Sequence, residues 1–352
     1  MSAAVLSREA RSHVAHARCE DFAALLPDGS VNLLWLDPPY FRVVDEAWDR
    51  AWKTEAAYLE WLRAMVREAA RVLAPNGSLY LFASASMGAR VECITAESLR
   101  VLNSIVWAKS HADYAPGDPR ASALKVRDTE TARQWVAFSE RVVFAESSFG
   151  GAGPVAHAIA SARVAAGLSQ AALEVSIGRV RQSDAGRGTG LVARWEAGNC
   201  IPTPQDFALT MSACGVDGDL ESLAAQYLAA RRPFAAPASF ADVWTYAPPH
   251  ADPSRHVCEK PADMLHDVVF ASSRPGDVVC EFFGGSFRMA EVALSHGRRY
   301  LGCDADPHWA AVGVERARAA ESGALAMVPA RPGKAPRSTG QLSLLDALAG
   351  AR

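Results

Sequence analysis

The sequence predicts an α/β protein, a mostly parallel sheet flanked by helices, with an all-helical segment inserted between two halves of the sheet. Three observations carry that expectation. Residues 31–36, Val-Asn-Leu-Leu-Trp-Leu, make a nearly continuous apolar run, the texture of a parallel strand covered on both faces. Apolar strand-like runs alternate with helix-spaced ones both early and late in the chain, which is the pattern of βαβ units. Between them, residues 155–216 read as short helices only, set off by Gly150, Gly151, Gly153 and Pro154 on one side and by Arg231, Arg232, Pro233 and Pro237 on the other.

Taken in order, the apolar run at 31–36 ends in Asp37-Pro38-Pro39-Tyr40. Residues 55–73 then place Leu59, Leu62, Met65, Val66, Ala69 and Val72 at helical spacing, stopping at Pro75-Asn76-Gly77, and residues 79–82 read as the next strand. After the inserted segment, residues 267–273 read as helix, 277–283 as strand, 288–296 as a helix closed by Gly297, and 300–303 as strand. Residues 1–150 and 233–320 are thus expected to share one sheet, 151–232 to form the insert, and 321–352, rich in Ala, Gly, Pro and Ser, to be a disordered tail. The sequence shows no internal repeat.

Composition narrows the function classes. The chain has 352 residues, 36 Lys and Arg against 39 Asp and Glu, and a net charge of −3. That length suits two domains, or one α/β domain of about 250 residues with an insertion. There is no apolar run of about 18 residues and no signal-type stretch at the start, so a cytoplasmic protein without membrane contact is expected. The seven cysteines are scattered, with no Cys-x-x-Cys pair, which argues against a disulfide framework and a structural zinc. A slightly acidic total leaves nucleic acid open as a partner, because binding depends on local charge.

The first chemical constellation is Asp37-Pro38-Pro39-Tyr40, directly after a strand. In open α/β sheets ligands bind beyond the carboxyl ends of strands. Two prolines fix φ and remove two N–H groups, so the Asp37 carboxylate and the Pro38 carbonyl can converge as acceptors on one amino group. Such a site fits the exocyclic amine of a nucleobase, whose delocalised lone pair two acceptors would draw towards an electrophile. Tyr40 offers a flat face for a base taken out of its helix. An ordinary Asp-Pro turn is the competing reading.

The second constellation is Glu281-Phe282-Phe283-Gly284-Gly285-Ser286, which follows a strand and opens a helix, with Asp304 at the end of the next strand. Glycines let backbone N–H groups approach a ligand, and an acid about 20 residues on can accept both ribose hydroxyls. The dinucleotide pattern Gly-x-Gly-x-x-Gly is absent, because Phe287 and Arg288 follow Ser286. A smaller ribose-bearing cofactor therefore fits better than a dinucleotide, and a plain tight turn is the alternative.

Together with His256-Val257-Cys258-Glu259-Lys260-Pro261 upstream of the glycine turn, these motifs resemble the β-class DNA amino-methyltransferases, in which the catalytic motif precedes the cofactor motif. The resemblance implies a Rossmann-like methyltransferase sheet and S-adenosylmethionine as cofactor. It implies that Asp37, Pro38, Pro39 and Tyr40 form the catalytic motif. It also implies that Glu281, Phe282, Phe283, Gly284, Gly285 and Ser286 line the methionine end of the cofactor, with Asp304 on its ribose and with Asp37 and Lys260 beside it. A solvated surface lysine is the competing reading of Lys260. The chain departs from the family in having Glu281-Phe282-Phe283 where Asp-Pro-Phe is usual, and Phe287 where a second turn glycine is usual. An Asp at the head of the catalytic motif is typical of adenine-N6 members, so adenine is the expected base, with cytosine-N4 as the alternative. Trp48-Asp49 also looks like the family, with Trp48 placed to clasp a flipped base or else to cap the core. A transcription regulator on a decayed scaffold, without catalysis, is the reading from a different class.

In the insert, Leu168-Ser169-Gln170 and Arg194-Trp195-Glu196-Ala197-Gly198 resemble the phage-repressor helix-turn-helix. There the second helix lies in the major groove, and Gln at the start of the first often contacts backbone. The resemblance implies a duplex-DNA reader, with Gln170 and Arg194 among its contacts and Trp195 in its core. The connection from Ile177 to Gly190 is longer than the family's turn and carries Arg179, Arg181 and Arg187 against Asp184, so those arginines are expected to track phosphates or enter a groove. A solvated basic loop is the alternative. Near the end of the chain, Gln341-Leu342-Ser343-Leu344-Leu345-Asp346 resembles the short peptide by which bacterial replication proteins dock into the sliding clamp, with a chance match, or a segment that folds back on its own domain, as the alternative. Family resemblance makes a homodimer the expected assembly, and no metal is expected.

Overall fold

A computed structural model describes residues 10–109, 137–147, 154–179, 189–216, 227, 231, 233–234, 241–249, 256 and 258–323. In chain order its elements are β1 (Ser12–His16), α1 (Cys19–Leu25), β2 (Val31–Leu36), α2 (Glu55–Val72), β3 (Leu73–Ser84), α3 (Gly88–Ala96), β4 (Leu99–Ala108) and β5 (Ser139–Ser147). There follow α4 (Pro154–Ala165), α5 (Gln170–Ser176), α6 (Leu191–Glu196) and α7 (Pro204–Ala213). The last elements are β6 (Val243–Trp244), α8 (Ala262–Ser272), β7 (Val278–Glu281), α9 (Arg288–Ser295), β8 (Arg299–Asp304) and α10 (Pro307–Glu321). The described residues divide into two compact units, those of 1–147 with 233–333 and those of 148–232.

The first unit is built on an eight-stranded sheet of order β1-β8-β7-β2-β3-β5-β4-β6. Its strands pair in parallel except at β5, which runs antiparallel to both β3 and β4. The late strands β7 and β8 enter beside the early β2, so the sheet joins the two ends of the chain. Strand β2 shows how its apolar run works. Leu34 and Leu36 pack with Phe22, Leu62 and Met65 of α1 and α2, while Leu33 and Trp35 pack with Met264, Val268 and Val292 of α8 and α9. Successive side chains point to opposite faces, and both faces are covered, so the run needs no polar alternation.

Connections leave β7 towards β8 on one side, and β2 towards β3 on the other. The sheet therefore reverses its winding between β7 and β2, where open α/β sheets form their binding crevice. Trp35 pairs with Glu281, so the two strands end level and deliver Asp37 and Phe282 to the same edge. Here the sequence order of the two motifs becomes spatial adjacency.

The strand read over 277–283 is β7, Val278–Glu281, and two further boundaries differ from the sequence reading. Helix α2 ends at Val72, and β3 starts at once at Leu73. Pro75, Asn76 and Gly77 fall inside that strand, where the pairing jumps from Val31 with Leu73 to Leu33 with Ser78. The Pro-Asn-Gly segment is thus an irregularity within a strand and not the helix stop. Helix α8 begins at Ala262 rather than near 267, and its buried face includes Met264, Leu265, Val268 and Val269. The polar His266 and Asp267 between them mask the helical spacing in the sequence.

The second unit has its own core of Val155, Ile159, Leu173, Ile177, Val192, Trp195, Phe207, Met211 and Tyr227. Ser169 caps α5 by accepting from the Ala172 N–H at 3.1 Å, and Thr203 caps α7 by accepting from the Asp206 N–H at 3.1 Å. The start of α6 is different, because its N-cap residue Gly190 has no side chain and sits at φ +73°. Glu174, from α5 and almost fully buried, supplies the missing acceptor, taking N–H bonds from Gly190 at 2.9 Å and Val192 at 2.8 Å. One buried carboxylate thereby fixes α6 against α5. Among the described residues no helix is long and apolar enough to cross a membrane.

Candidate active site

The edge where β2 and β7 end opens into a cavity of about 860 Å³ within the first unit. Its wall includes Asp37, Pro38, Pro39, Tyr40 and Trp48 from the early motif, and Lys260, Glu281, Phe282, Phe283, Gly284, Gly285, Ser286 and Asp304 from the late one. Every residue singled out in the sequence for the catalytic and cofactor motifs thus borders one space. The motifs lie more than 200 residues apart, and Lys260 Nζ is 2.6 Å from Asp37 Oδ2.

The turn after Leu36 is held from several sides. Asp49 is fully buried and accepts N–H bonds from Tyr40 at 2.7 Å, Val43 at 2.5 Å and Val44 at 2.8 Å. The Tyr58 hydroxyl of α2 donates to the Pro39 carbonyl at 2.8 Å. Phe41 and Arg42 both take φ of +62°, a region that costs non-glycine residues energy and persists where surrounding bonds enforce it. Trp48 is 37 % exposed, with its ring stacked towards His256 at 6.2 Å. Asp49 is therefore the anchor of this loop, and its neighbour Trp48 stands at the cavity wall.

The glycine turn is shaped by close approach. A Cβ on Gly284 would lie 2.2 Å from the Phe287 ring, and one on Gly285, at φ +48°, would lie 3.1 Å from His256. The Gly285 N–H donates to Asp304 Oδ2 at 2.7 Å, and the Gly284 N–H to the Cys303 carbonyl at 2.9 Å. Phe287, which replaces the glycine usual in the family the sequence resembles, keeps the left-handed backbone at φ +55°. Its ring is fully buried against Gly284, Gly313 and Tyr300. The departure is accommodated beneath the turn and leaves the cavity clear.

The electrostatics of the wall are uneven. Glu281 is 3 % exposed, and burial, with Asp304 and Asp37 nearby, pushes its carboxyl well above the ordinary range although the Tyr300 hydroxyl donates to it at 2.5 Å. His256 is lowered by burial, and the Cys258 thiol is pushed up to about 11 by burial. At the Asp37 end, Tyr40 Oη lies 2.6 Å from Asp37 Oδ1 and 2.8 Å from Glu140 Oε2, and Lys109 Nζ pairs with Glu140 Oε1. Lys260 is buried, not solvated. Burial works against its charge, but Asp37 and Glu140 outweigh it and hold the ammonium above its usual value.

Sequence reading missed Glu140 at the head of β5, Lys109 after β4 and Trp107, as well as Cys19, Glu20 and Trp61, all of which border the cavity. None belongs to a local motif, and only strand pairing and helix packing bring them in. Glu20 accepts from Trp61 Nε1 at 2.8 Å. Burial opposes its charge, but bonds from Arg18 and Trp61 contribute to holding its carboxyl down at about 2. Among the described residues no group of three or more His, Cys, Asp or Glu side chains is placed to hold a metal ion.

Apart from Trp48 at the cavity wall, the residues singled out for DNA contact fall within 148–232. Gln170 donates to Glu196 at 2.5 Å, Arg179 pairs with Asp206 at 2.6 Å, and Arg194 is exposed on α6. Trp195 is buried in the second unit's core. Arg181, Arg187 and the segment 341–346 lie outside the described residues.

A family model for DNA methylases matches residues 31–137 and 219–315, more than half of the chain. A DNA adenine methyltransferase of Escherichia coli, YhdJ, is 36 % identical over 61 residues, 17 % of this chain and 21 % of that protein. The chain thus aligns with about a fifth of that relative's length. Among solved structures, the PvuII DNA methyltransferase, described as cytosine-N4-specific, superposes with a TM-score of 0.50 at 12 % identity, covering 87 % of this chain and 86 % of that one. A DNA modification methylase of Thermus thermophilus, solved with S-adenosyl-L-methionine, gives 0.48 at 17 % identity, covering 93 % and 100 %.

Proposed function

Since the chain belongs to the DNA methylase family, we propose that it transfers a methyl group from S-adenosylmethionine to the N6 amine of an adenine flipped out of duplex DNA. The observation that carries this reading is the meeting of Asp37-Pro38-Pro39-Tyr40 with the Gly284-Gly285 turn and Asp304 around one cavity, at the sheet's reversal point. The wall fits a cationic cofactor. Glu281 is a carboxyl that accepts from the Tyr300 phenol and is raised first by its burial and then by Asp304 and Asp37, an environment that a ligand bearing an ammonium and a sulfonium would relieve. When bound, S-adenosylmethionine supplies an electrophilic methyl group.

The chain's own residues then bind and orient. The Asp37 carboxylate and Pro38 carbonyl accept the two hydrogens of the amine, which aims its lone pair, and Tyr40 stacks the base. Asp304 takes the ribose on this reading, supported by the acceptor capacity its carboxylate keeps beyond the Gly285 and Asp306 N–H groups that it already takes. Trp48 stands where it can clasp the flipped base. Catalysis on this reading is mainly placement, and holding reactants in line can supply about 7–11 kcal/mol of a barrier. Adenine is favoured by the Asp at the head of the motif and by the local identity to an adenine methyltransferase.

The second unit reads the DNA sequence as a helix-turn-helix, with Gln170, Arg179, Arg181, Arg187 and Arg194 towards the duplex. Homodimer formation, read by sedimentation, and clamp docking through residues 341–346, read by pull-down with and without 341–352, complete the proposal. The central test incubates unmethylated bacterial DNA with the protein and S-adenosylmethionine and measures modified nucleosides by mass spectrometry, beside Asp37→Ala. N6-methyladenine that disappears in Asp37→Ala is the expected result. N4-methylcytosine would overturn the base, and DNA binding without any methylation would overturn the enzyme in favour of a regulator.

A further inference from the structure

Glu140 has no part in either motif, yet it sits where the catalytic motif is held. It is the second residue of the antiparallel strand β5, its side chain is 13 % exposed, and charged groups surround it. Lys260 Nζ lies 2.6 Å from Asp37 Oδ2 and 3.4 Å from Glu140 Oε2, and Lys109 Nζ pairs with the other Glu140 oxygen. Lys260 also lies over the Phe82 ring at 4.9 Å and the Trp107 ring at 5.9 Å, so its ammonium is fixed among aromatic faces as well as acids. Two carboxyl groups so near each other share two ammonium groups. The lysines hold the Glu140 carboxyl below its ordinary range against the effect of burial.

The Tyr40 hydroxyl stands between the two acids, 2.6 Å from Asp37 Oδ1 and 2.8 Å from Glu140 Oε2. A phenol has one proton and can donate it to only one of them at a time. Donated to Asp37, it takes one of the two lone pairs of Oδ1 and competes with the substrate amine at the oxygen that Lys260 does not hold. Donated to Glu140, it leaves Asp37 Oδ1 open. We propose that Glu140 is a positioning residue that draws the Tyr40 proton and steadies Lys260, so that Asp37 Oδ1 is free to accept a hydrogen of the substrate amine. The inference rests on the proposed methyl transfer and adds to it a residue contributed by the one antiparallel strand of the sheet. It also gives Tyr40 two duties, a ring against the base and a hydroxyl that yields the acceptor.

The test is Glu140→Gln, with Tyr40→Phe, the double variant and Glu140→Asp. In Glu140→Gln Lys109 keeps the amide oxygen, the NH₂ group takes the place of Oε2 facing Tyr40 and Lys260, and the phenol is left to donate to Asp37. The expected result is a fall in kcat of about 10- to 100-fold, the scale of losing one charged hydrogen bond in the transition state. KM for DNA and for S-adenosylmethionine stays within about twofold, and in the Tyr40→Phe background the same substitution changes kcat by no more than about twofold, since there is no proton left to direct. Glu140→Asp, which keeps the charge, recovers part of the rate. Independently of activity, the cofactor-free protein labelled with ¹³Cζ-tyrosine shows a Tyr40 resonance, assigned by its loss in Tyr40→Phe, that moves in Glu140→Gln and moves less in Glu140→Asp. An unchanged kcat in Glu140→Gln, or an equal fall with and without the Tyr40 hydroxyl, overturns the proposal. An unmoved Tyr40 resonance overturns it even if a variant loses activity by misfolding. A wild-type protein that methylates no base overturns the underlying reading as well, and so separates the two failures.

Discussion

Single residues in this chain show how burial gives an ordinary group an extraordinary setting. Glu281 ends β7 with its carboxyl facing the Tyr300 hydroxyl at 2.5 Å, and burial pushes it well above the ordinary value of 4.5. The sign of the consequence follows from linkage. Below about pH 4.5 the group is protonated in folded and unfolded chains alike. Above that the unfolded chain loses the proton first, so Glu281 makes stability fall as pH rises towards its folded value and has no further effect beyond it. Glu281→Gln is therefore expected to flatten that fall, measured as urea midpoints across pH, and to weaken S-adenosylmethionine binding in the same protein. Parallel curves for the two proteins would show that Glu281 does not carry the slope. Phe287 teaches the complementary lesson, because its left-handed backbone and buried ring make it a packing residue under the turn.

At the scale of elements, the helical unit depends on a cap that comes from a neighbouring helix. Helix α6 begins at Gly190, which cannot cap it, and Glu174 of α5 accepts the free N–H groups instead. Glu174→Ala is expected to destabilise this unit by about 1–2 kcal/mol, the upper range for loss of a cap, which corresponds to roughly 4–8 °C in Tm per kcal/mol for a domain of under 100 residues. A thermal melt followed by the environment of Trp195, buried in that unit's core, would record it. The loop after β2 has the same logic, with Asp49 taking three N–H groups from residues 40, 43 and 44. In both places a buried carboxylate does locally what regular secondary structure does elsewhere, satisfying backbone donors that would otherwise be lost to water.

At the scale of the whole molecule, the two units divide the proposed work between chemistry and sequence reading. DNA affinity that depends on phosphate contacts should fall steeply with salt. Replacing Arg179, Arg181 and Arg187 together by Ala is expected to weaken binding of short duplexes and reduce its salt slope by up to about three, at roughly one unit per lost phosphate contact. Unchanged binding would remove the loop from the interface. Arg179 is the member expected to contribute least, because it is already paired with Asp206.

How much of this was legible beforehand depended on whether the information was local. By itself the sequence determined the α/β class, and it singled out two motifs whose residues border one cavity, because apolar runs, helical spacing, stiff prolines and permissive glycines act through near neighbours. Tertiary structure alone decided that β7 lies beside β2 and sets Asp37 next to Lys260, that Pro75-Asn76-Gly77 interrupts a strand, and that Phe287 turns inward. It alone brought Glu140 and Lys109 to the Tyr40 hydroxyl. The physical reason is that a strand's partners and a buried charge's counter-ions are chosen by packing across the sheet, and no spacing along the chain encodes which distant residue will fill that place.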